Sequence, residues 1–399
     1  MFIIELYKER SDMQMVTFDN EYTYLRVGRK TLIEAHISDT HFGSLEPKIQ
    51  YQILKEQFIE PLKQLPVLDI LSINGDIFHH KAMGNSDILL YAEIFVEDII
   101  REIARPKGTT VFIILGTDSH DARQTRLFYR YLSDPTIDVR IIENIQFEYA
   151  KGAKILCIPD LPGVPEEVYR HYLFESGEYD TVFMHGTIKG AVPMDQVGNC
   201  RLFTIDDFVL CRGPIISGHV HTGGCFNTYF YYCGSPYCWQ FGEEEQKGFL
   251  IVLHNLNTHE HYVIKEPITS FRYVTINLDD IIDNDPRNII NYIDKVKKEQ
   301  GIDYIRVEFN KEVPSDKRSI LDSFYRNNGT VKLKYNFTRE QKIIQRNLQE
   351  MEDMQKYSYI YDKSLTEYDK LARYINEDIG YVFVTADQIK KIIEEDNYE

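Results

Sequence analysis

Five short stretches carry residues whose types and spacing could do metal chemistry. They are Asp39-Thr40-His41, Gly75-Asp76, the run Gly116-Thr117-Asp118-Ser119-His120-Asp121, His185-Gly186, and Gly218-His219-Val220-His221. Imidazole and carboxylate donors suit Mn²⁺, Fe²⁺ or Zn²⁺, and one carboxylate can bridge two ions ~3.5–4 Å apart. The alternation in D-x-H and H-x-H aims both side chains the same way along extended backbone. One such pair on its own is weak evidence. Five stretches in this order are strong evidence, provided the fold brings them together.

The elements that must do so are legible as short apolar runs. Residues 32–38, 67–73, 111–115, 154–158, 181–184 and 214–216 read as buried strands, each followed by a polar or glycine-bearing turn. Helical spacing fills the gaps at Ile49–Leu65 and Ser86–Ala104. That alternation predicts a layered α/β domain over residues 31–269, in which one sheet edge collects two Asp and four His. From Thr228 the texture changes to strands and turns. Residues 270–337 then read strand, helix, strand, helix, strand, the pattern of a small α+β domain. Residues 1–30 form an N-terminal extension, and residues 338–399 are polar with helical spacing.

In this order the motifs resemble the calcineurin-like metallophosphoesterases, whose pattern is D-x-H, G-D, G-N-H-[DE], H and G-H-x-H. The more specific resemblance is to that superfamily's double-strand-break repair nucleases. These are bacterial SbcD, the meiotic recombination nuclease eleven of archaea and eukaryotes, and the recombination endonuclease subunit of large phages. HISDTHFG at 36–43, GDIF at 75–78 and YYCGSPYCWQFGEEEQKGFLIV at 231–252 carry it. The last stretch holds no ligands, so phosphoesterases in general have no need of it. The resemblance covers about residues 32–335.

It implies a four-layer αββα sandwich with a small α+β capping domain and a helical C-terminal tail. It also implies two divalent ions, Mn²⁺ foremost, with Asp39, His41 and His221 on the first, His185 and His219 on the second, and Asp76 between them. The activity implied is Mn²⁺-dependent DNA phosphodiester hydrolysis, exonuclease or endonuclease, on double-strand ends and single strands. The partners implied are an SbcC-type ABC ATPase on the tail and a second copy of the chain. The setting implied is the cytoplasm of a bacterial or phage-infected cell. Two other readings stand beside it: a phosphoesterase for small nucleotides or phosphoproteins, and a catalytically silent scaffold for DNA ends or the ATPase.

The third motif departs from the pattern. G-T-D-S-H-D aligns with G-N-H-D if two residues are inserted after the glycine, which puts His120-Asp121 at His-Asp and Ser119 at the Asn position. Asp118 then offers a harder oxygen ligand, and His120, held by Asp121, becomes the catalytic acid–base group. Without the insertion, Asp118 stands where the His belongs. The insertion is preferred because it keeps the His-Asp pair.

Simpler readings cover the remaining polar residues. His36 lies inside an apolar strand and reads as a core histidine. His79 and His80 read as solvent or substrate-edge contacts, Gly234-Ser235-Pro236 as a turn, and Glu243–Glu245 as a solvated loop.

Bulk properties bound the rest. The chain has 399 residues, 43% hydrophobic and 27% charged, enough for two or three domains with real cores. No apolar run approaches the ~18 residues of a membrane span, and the N-terminus lacks the pattern of a signal peptide, so a cytoplasmic protein is expected. The six cysteines have no metal-finger spacing and read as small buried thiols. A net charge of −17 argues against nucleic acid taken alone, because phosphate binding recruits Lys and Arg.

Overall fold

The structure, a computed structural model, describes residues 14–18, 21–25, 31–81, 86–121, 124–191, 201–243, 245–281, 285–311, 313–336, 359, 364–376 and 384–395. The chain divides into two compact units. One comprises residues 1–276, 291–306 and 328–332, and the other residues 277–290, 307–327 and 333–399.

The first unit is built on two six-stranded mixed sheets. The first sheet has the order His261–Pro267, Gly248–Asn255, Thr31–Ile37, Ile70–Asn74, Thr110–Ile114, Asp138–Ile142. Its last four strands are parallel, and Gly248–Asn255 runs antiparallel to both neighbours. The second has the order Gly224–Cys225, Phe230–Tyr232, Ile215–Gly218, Thr181–His185, Ala153–Ile158, Gln146–Ala150. Its four central strands are parallel. All six strands read from the sequence are present within a few residues. Asp138–Ile142 and Gln146–Ala150 are additional; their partly exposed, mixed residues give no continuous apolar run.

Side-chain alternation sets the layers. Leu32, Ile70, Phe112 and Ile114 of the first sheet pack with Ile155, Cys157, Phe183 and Ile216 of the second, so the sheets lie face to face. Phe112 and Phe183 meet edge-on at 5.4 Å. The intervening residues Ala35, Ile37, Leu71, Ile73, Val111 and Ile113 point the other way, into a core with Leu54, Phe58, Ala92, Phe95 and Ile99. Those come from the helices expected at Ile49–Leu65 and Ser86–Ala104, each of which contains one wide π turn, at Lys55–Ile59 and Ile99–Ala104. The second sheet is covered by Tyr169, Leu173 and Phe208. The result is α/β with mixed sheets in four layers.

His36 does lie in the core, between the sheets, but within a polar network. Its Nε2 is 3.0 Å from the Glu34 carboxylate and its Nδ1 2.6 Å from Ser72 Oγ, while His254 Nδ1 lies 3.6 Å from Glu34. Burial alone would raise the pKa of Glu34, but His254 and His36 outweigh it and hold the carboxyl down at about 2. A pKa below the unfolded value means that the charged form stabilises the fold. That contribution, about 3 kcal/mol, is fully present above pH about 4.5 and is lost as the pH falls through about 2. Urea midpoints measured across this range are expected to fall steeply for the native chain and more gently for Glu34→Gln. Equal slopes would show that Glu34 has no such role.

Residues 271–336 contain, in order, the expected elements: strand Tyr273–Asn277, helix Pro286–Glu299, strand Tyr304–Phe309, helix Ser315–Tyr325 and strand Val331–Tyr335. In the tail, helices Glu367–Tyr374 and Ala386–Glu395 are present, the first started by a Thr366/Asp369 capping box. The helical spacing expected at 339–355 lies outside the described residues.

Candidate metal centre

The expected ligands sit on strand ends of both sheets, not on one edge. Asp39 and His41 follow Thr31–Ile37, Asp76 follows Ile70–Asn74, His185 ends Thr181–His185, and His219 and His221 follow Ile215–Gly218. Two facing sheets bring Asp39, His41 and Asp76 from one and three imidazoles from the other into a single space. Tight backbone holds them there. Of the six non-glycine residues with positive φ among those described, four are Asp39, His41, Asp76 and His219. Such conformations cost free energy and concentrate at functional sites. Asp39 N donates to Gly75 O and His41 N to Asp76 O, both at 3.0 Å, which locks the first two turns together. Gly116 has to be glycine, because a Cβ there would collide with the Asp76 backbone nitrogen and Oδ1.

Two groups of three donors result, Asp39–His41–His221 and Asp76–His185–His219, each with two buried members and one half-buried histidine and with ligand atoms within 4.8 Å of one another. Their contacts have the spacing of shared coordination. Donors about 2.1 Å from one ion, at roughly right to tetrahedral angles, stand about 3.0–3.4 Å apart. Here His41 Nε2 is 3.0 Å from His221 Nε2, His185 Nε2 is 3.3 Å from His219 Nδ1, and His185 Nε2 is 3.3 Å from Asp76 Oδ2. Asp76 Oδ2 is also 3.9 Å from His41 Nε2, so its carboxylate lies between the groups. Facing imidazole nitrogens satisfy one another poorly without a proton or a cation between them, and the donor set fits divalent cations.

Electrostatics agree. Burial would raise the pKa of Asp76, yet His185 and His41 hold it well below the usual carboxylate range. The counterpart is His185, which burial would neutralise but which Asp76 pushes up to about 10. Its Nδ1–H donates to Asn74 O at 2.8 Å, turning Nε2 toward Asp76. His219 is lowered to about 4, by burial and by its neighbour His185. For His41, burial drives the pKa well below the ordinary value. A cluster that in the metal-free state must hold protons on some imidazoles is one from which a cation displaces them.

The third motif resolves differently from the alignment expected. Asp118 is not brought to either group; it is 68% exposed on its side chain and pairs with Lys81 at 3.3 Å. The residue that reaches the second group is Thr117, whose N donates to Asp76 Oδ1 at 2.6 Å. Its Oγ1 lies 3.3 Å from Asp76 Oδ2 and 3.4 Å from His185 Nε2. The two extra residues therefore follow Thr117, and this threonine, not Ser119, stands directly after the glycine where the motif has asparagine. That adjacency was the available signal. Thr117→Val is accordingly expected to weaken the ion at Asp76–His185–His219 by roughly 10–100-fold, the usual cost of losing a supporting partner. Asp118→Ala is expected to leave both ions unchanged, and calorimetric Mn²⁺ titration separates the two outcomes.

His120 and Asp121 also divide. His120 stacks edge-on to His41 with ring centroids 4.7 Å apart, and its Nδ1–H donates to the His79 carbonyl. Asp121 does not hold it. That carboxylate is fully buried and accepts from Ile77 N at 2.9 Å, Phe78 N at 3.2 Å and Gly116 N at 2.9 Å, clasping two loops together. Burial and the nearby Asp76 raise its pKa to about 7. His79 joins His41 and His120 in a third donor group, whereas His80 is exposed.

Sequence reasoning missed two further residues. Trp239 packs its ring against His79, His41 and His221 at 4.9, 5.5 and 5.6 Å. Glu243, expected in a solvated loop, is 5% exposed and lies 3.0 Å from His221 Nδ1. An open cavity of about 340 Å³, lined by His219, His221, Gln240, Glu243 and Glu245 among others, reaches the first group from solvent.

No family model matches the chain, and no curated protein matches it. A crystal structure of a protein of unknown function from Aquifex aeolicus is similar over 44% of this chain and 91% of its own, at 16% identity and a TM-score of 0.20. No helix among the described residues is long and apolar enough to cross a membrane.

Proposed function

We propose that this chain is a calcineurin-like, metal-dependent DNA nuclease of the SbcD type that hydrolyses phosphodiester bonds with two Mn²⁺ ions. The observation that supports this most is the pair of donor groups with the Asp76 carboxylate between them. Two divalent ions held there would supply a hydroxide at neutral pH and offset the phosphate charge. The chain's own residues do the rest. Asp39, His41 and His221 would hold one ion and His185 and His219 the other, with Asp76 between them and the Thr117 hydroxyl supporting Asp76 and His185. The Nδ1–H of His120, anchored on the His79 carbonyl, orients the ring so that its imidazolium form would pass the Nε2 proton to the leaving oxygen as the P–O bond breaks and return to the neutral ring.

An acidic nuclease binds DNA poorly alone, so the reading includes an SbcC-type ATPase on residues 338–399 and a second copy of the chain, in a bacterial or phage-infected cytoplasm. Removing residues 338–399 is expected to abolish co-purification with that ATPase while leaving Mn²⁺-dependent cleavage of short single strands.

The deciding experiment incubates end-labelled linear duplex and single-stranded DNA with the chain in Mn²⁺ and in chelator, beside a phosphomonoester and a cyclic nucleotide. Metal-dependent DNA cleavage is expected. Hydrolysis of the small esters alone would favour a small-molecule phosphoesterase. Uptake of two ions without any hydrolysis would favour a silent scaffold.

A further inference from the structure

The loop before the strand Gly248–Asn255 carries an acidic run and a lysine, Glu243 to Lys247, which hold no ion in the reading above. Both ends of the run are nevertheless buried beside it. Glu243 Oε1 is 3.0 Å from His221 Nδ1 and accepts from Gln240 Nε2 at 3.0 Å, and Oε2 accepts from Trp239 N at 3.4 Å. Lys247, 2% exposed, places Nζ 3.6 Å from Glu243 Oε2 and donates to the His221 carbonyl oxygen at 2.9 Å. Its ammonium also meets the Glu245 carboxylate. A buried charge costs several kcal/mol unless it is paired, so this cluster has to be held for a reason.

We infer that Glu243 is a positioning residue for the first ion: it takes the Nδ1–H of His221, so that the Nε2 lone pair faces Asp39 and His41, while Lys247 fixes the His221 backbone. The inference rests on the two-ion reading of the site. Geometry supports it from the other side of the ring, where His221 Nε2 is 3.0 Å from His41 Nε2 and 3.9 Å from Asp39 Oδ1. An imidazole has one acceptor nitrogen when neutral, and the partner on the far nitrogen decides which one it is. The ring cannot swing away either, because Trp239 lies against it at 5.6 Å.

The test compares the native chain with Glu243→Gln and Glu243→Ala. Glutamine keeps volume and an acceptor oxygen, which guards against simple misfolding; circular dichroism checks the fold of each. Mn²⁺ is titrated calorimetrically, and ¹⁵N-labelled histidine reports the His221 tautomer in the metal-free chain at alkaline pH. The native chain is expected to show the Nδ1–H tautomer and two binding steps. Glu243→Ala is expected to lose roughly 10–100-fold in one step only, with its His221 shifting toward Nε2–H, and Glu243→Gln to recover much of both. An unchanged tautomer and unchanged affinities in Glu243→Ala would overturn the inference and leave the two-ion reading standing. Equal losses in both steps would also overturn it, since a general disturbance of the site has that signature. A native chain that takes up no Mn²⁺ would overturn both.

Discussion

Asp76→Asn is expected to abolish Mn²⁺-dependent DNA cleavage, a loss on the order of 10³-fold or more, while the chain stays folded. The carboxylate has two tasks that an amide cannot share. Its Oδ2 faces His185 at 3.3 Å and His41 at 3.9 Å, one from each donor group, and only an anionic oxygen pair bridges two cations well. Its charge also favours the protonated form of His185 against the burial that would neutralise it. The fold should survive, since asparagine still offers an oxygen to Thr117 N, and the loops are clasped independently by Asp121. Calorimetry beside the cleavage assay should show at most one ion in the variant. Cleavage at a rate comparable to the native chain would remove the two-ion assignment.

His120→Ala is the second large effect, a fall of roughly 10²–10⁴-fold in rate, the usual worth of a positioned acid–base group. Unlike Asp76, His120 stands beside the first donor group, against the His41 ring, and is absent from both sets of three. Both ions should therefore bind with nearly native affinity, and the loss should lie in the rate of the chemical step under saturating Mn²⁺. Loss of an ion instead would make His120 a ligand in the group with His41 and His79. A native rate would leave the loop after Gly116 without a catalytic group, and His79 would be the next side chain to replace.

The ligand-bearing turns were legible because each depends on local chemistry. Apolar runs of three to seven residues followed by polar or glycine-bearing turns read as strands with functional ends, and all six are strands within a few residues. Gly75 and Gly218 precede Asp76 and His219 where a Cβ would collide with the His185 ring and with the Asn74 carbonyl oxygen, so G-D and G-H are readable in a single sequence. The capping box at Thr366 is another such local signal.

Register and burial were not legible. The expectation of one sheet edge failed because parallel strands carry no mark of which sheet they join; only the face-to-face packing of Phe112 on Phe183 decides that. Asp118 looked like the better ligand by chemistry, yet it opens a four-residue helical turn, Asp118–Asp121, that faces it to solvent against Lys81 and leaves Thr117 at Asp76. Asp121 looked like the partner of His120 by adjacency in sequence. Successive residues of that short helix point in different directions, so it clasps Ile77 and Gly116 instead. Glu243 had the composition of a solvated loop, and it is buried because Lys247, four residues on, turns inward with it. The sequence by itself determined which residue types stand at strand ends, since glycines and apolar runs act over a few bonds. Which of those residues meet was decided only when the two sheets closed on each other, because contacts between residues 39 and 219, or 221 and 243, depend on long-range packing that no local pattern encodes.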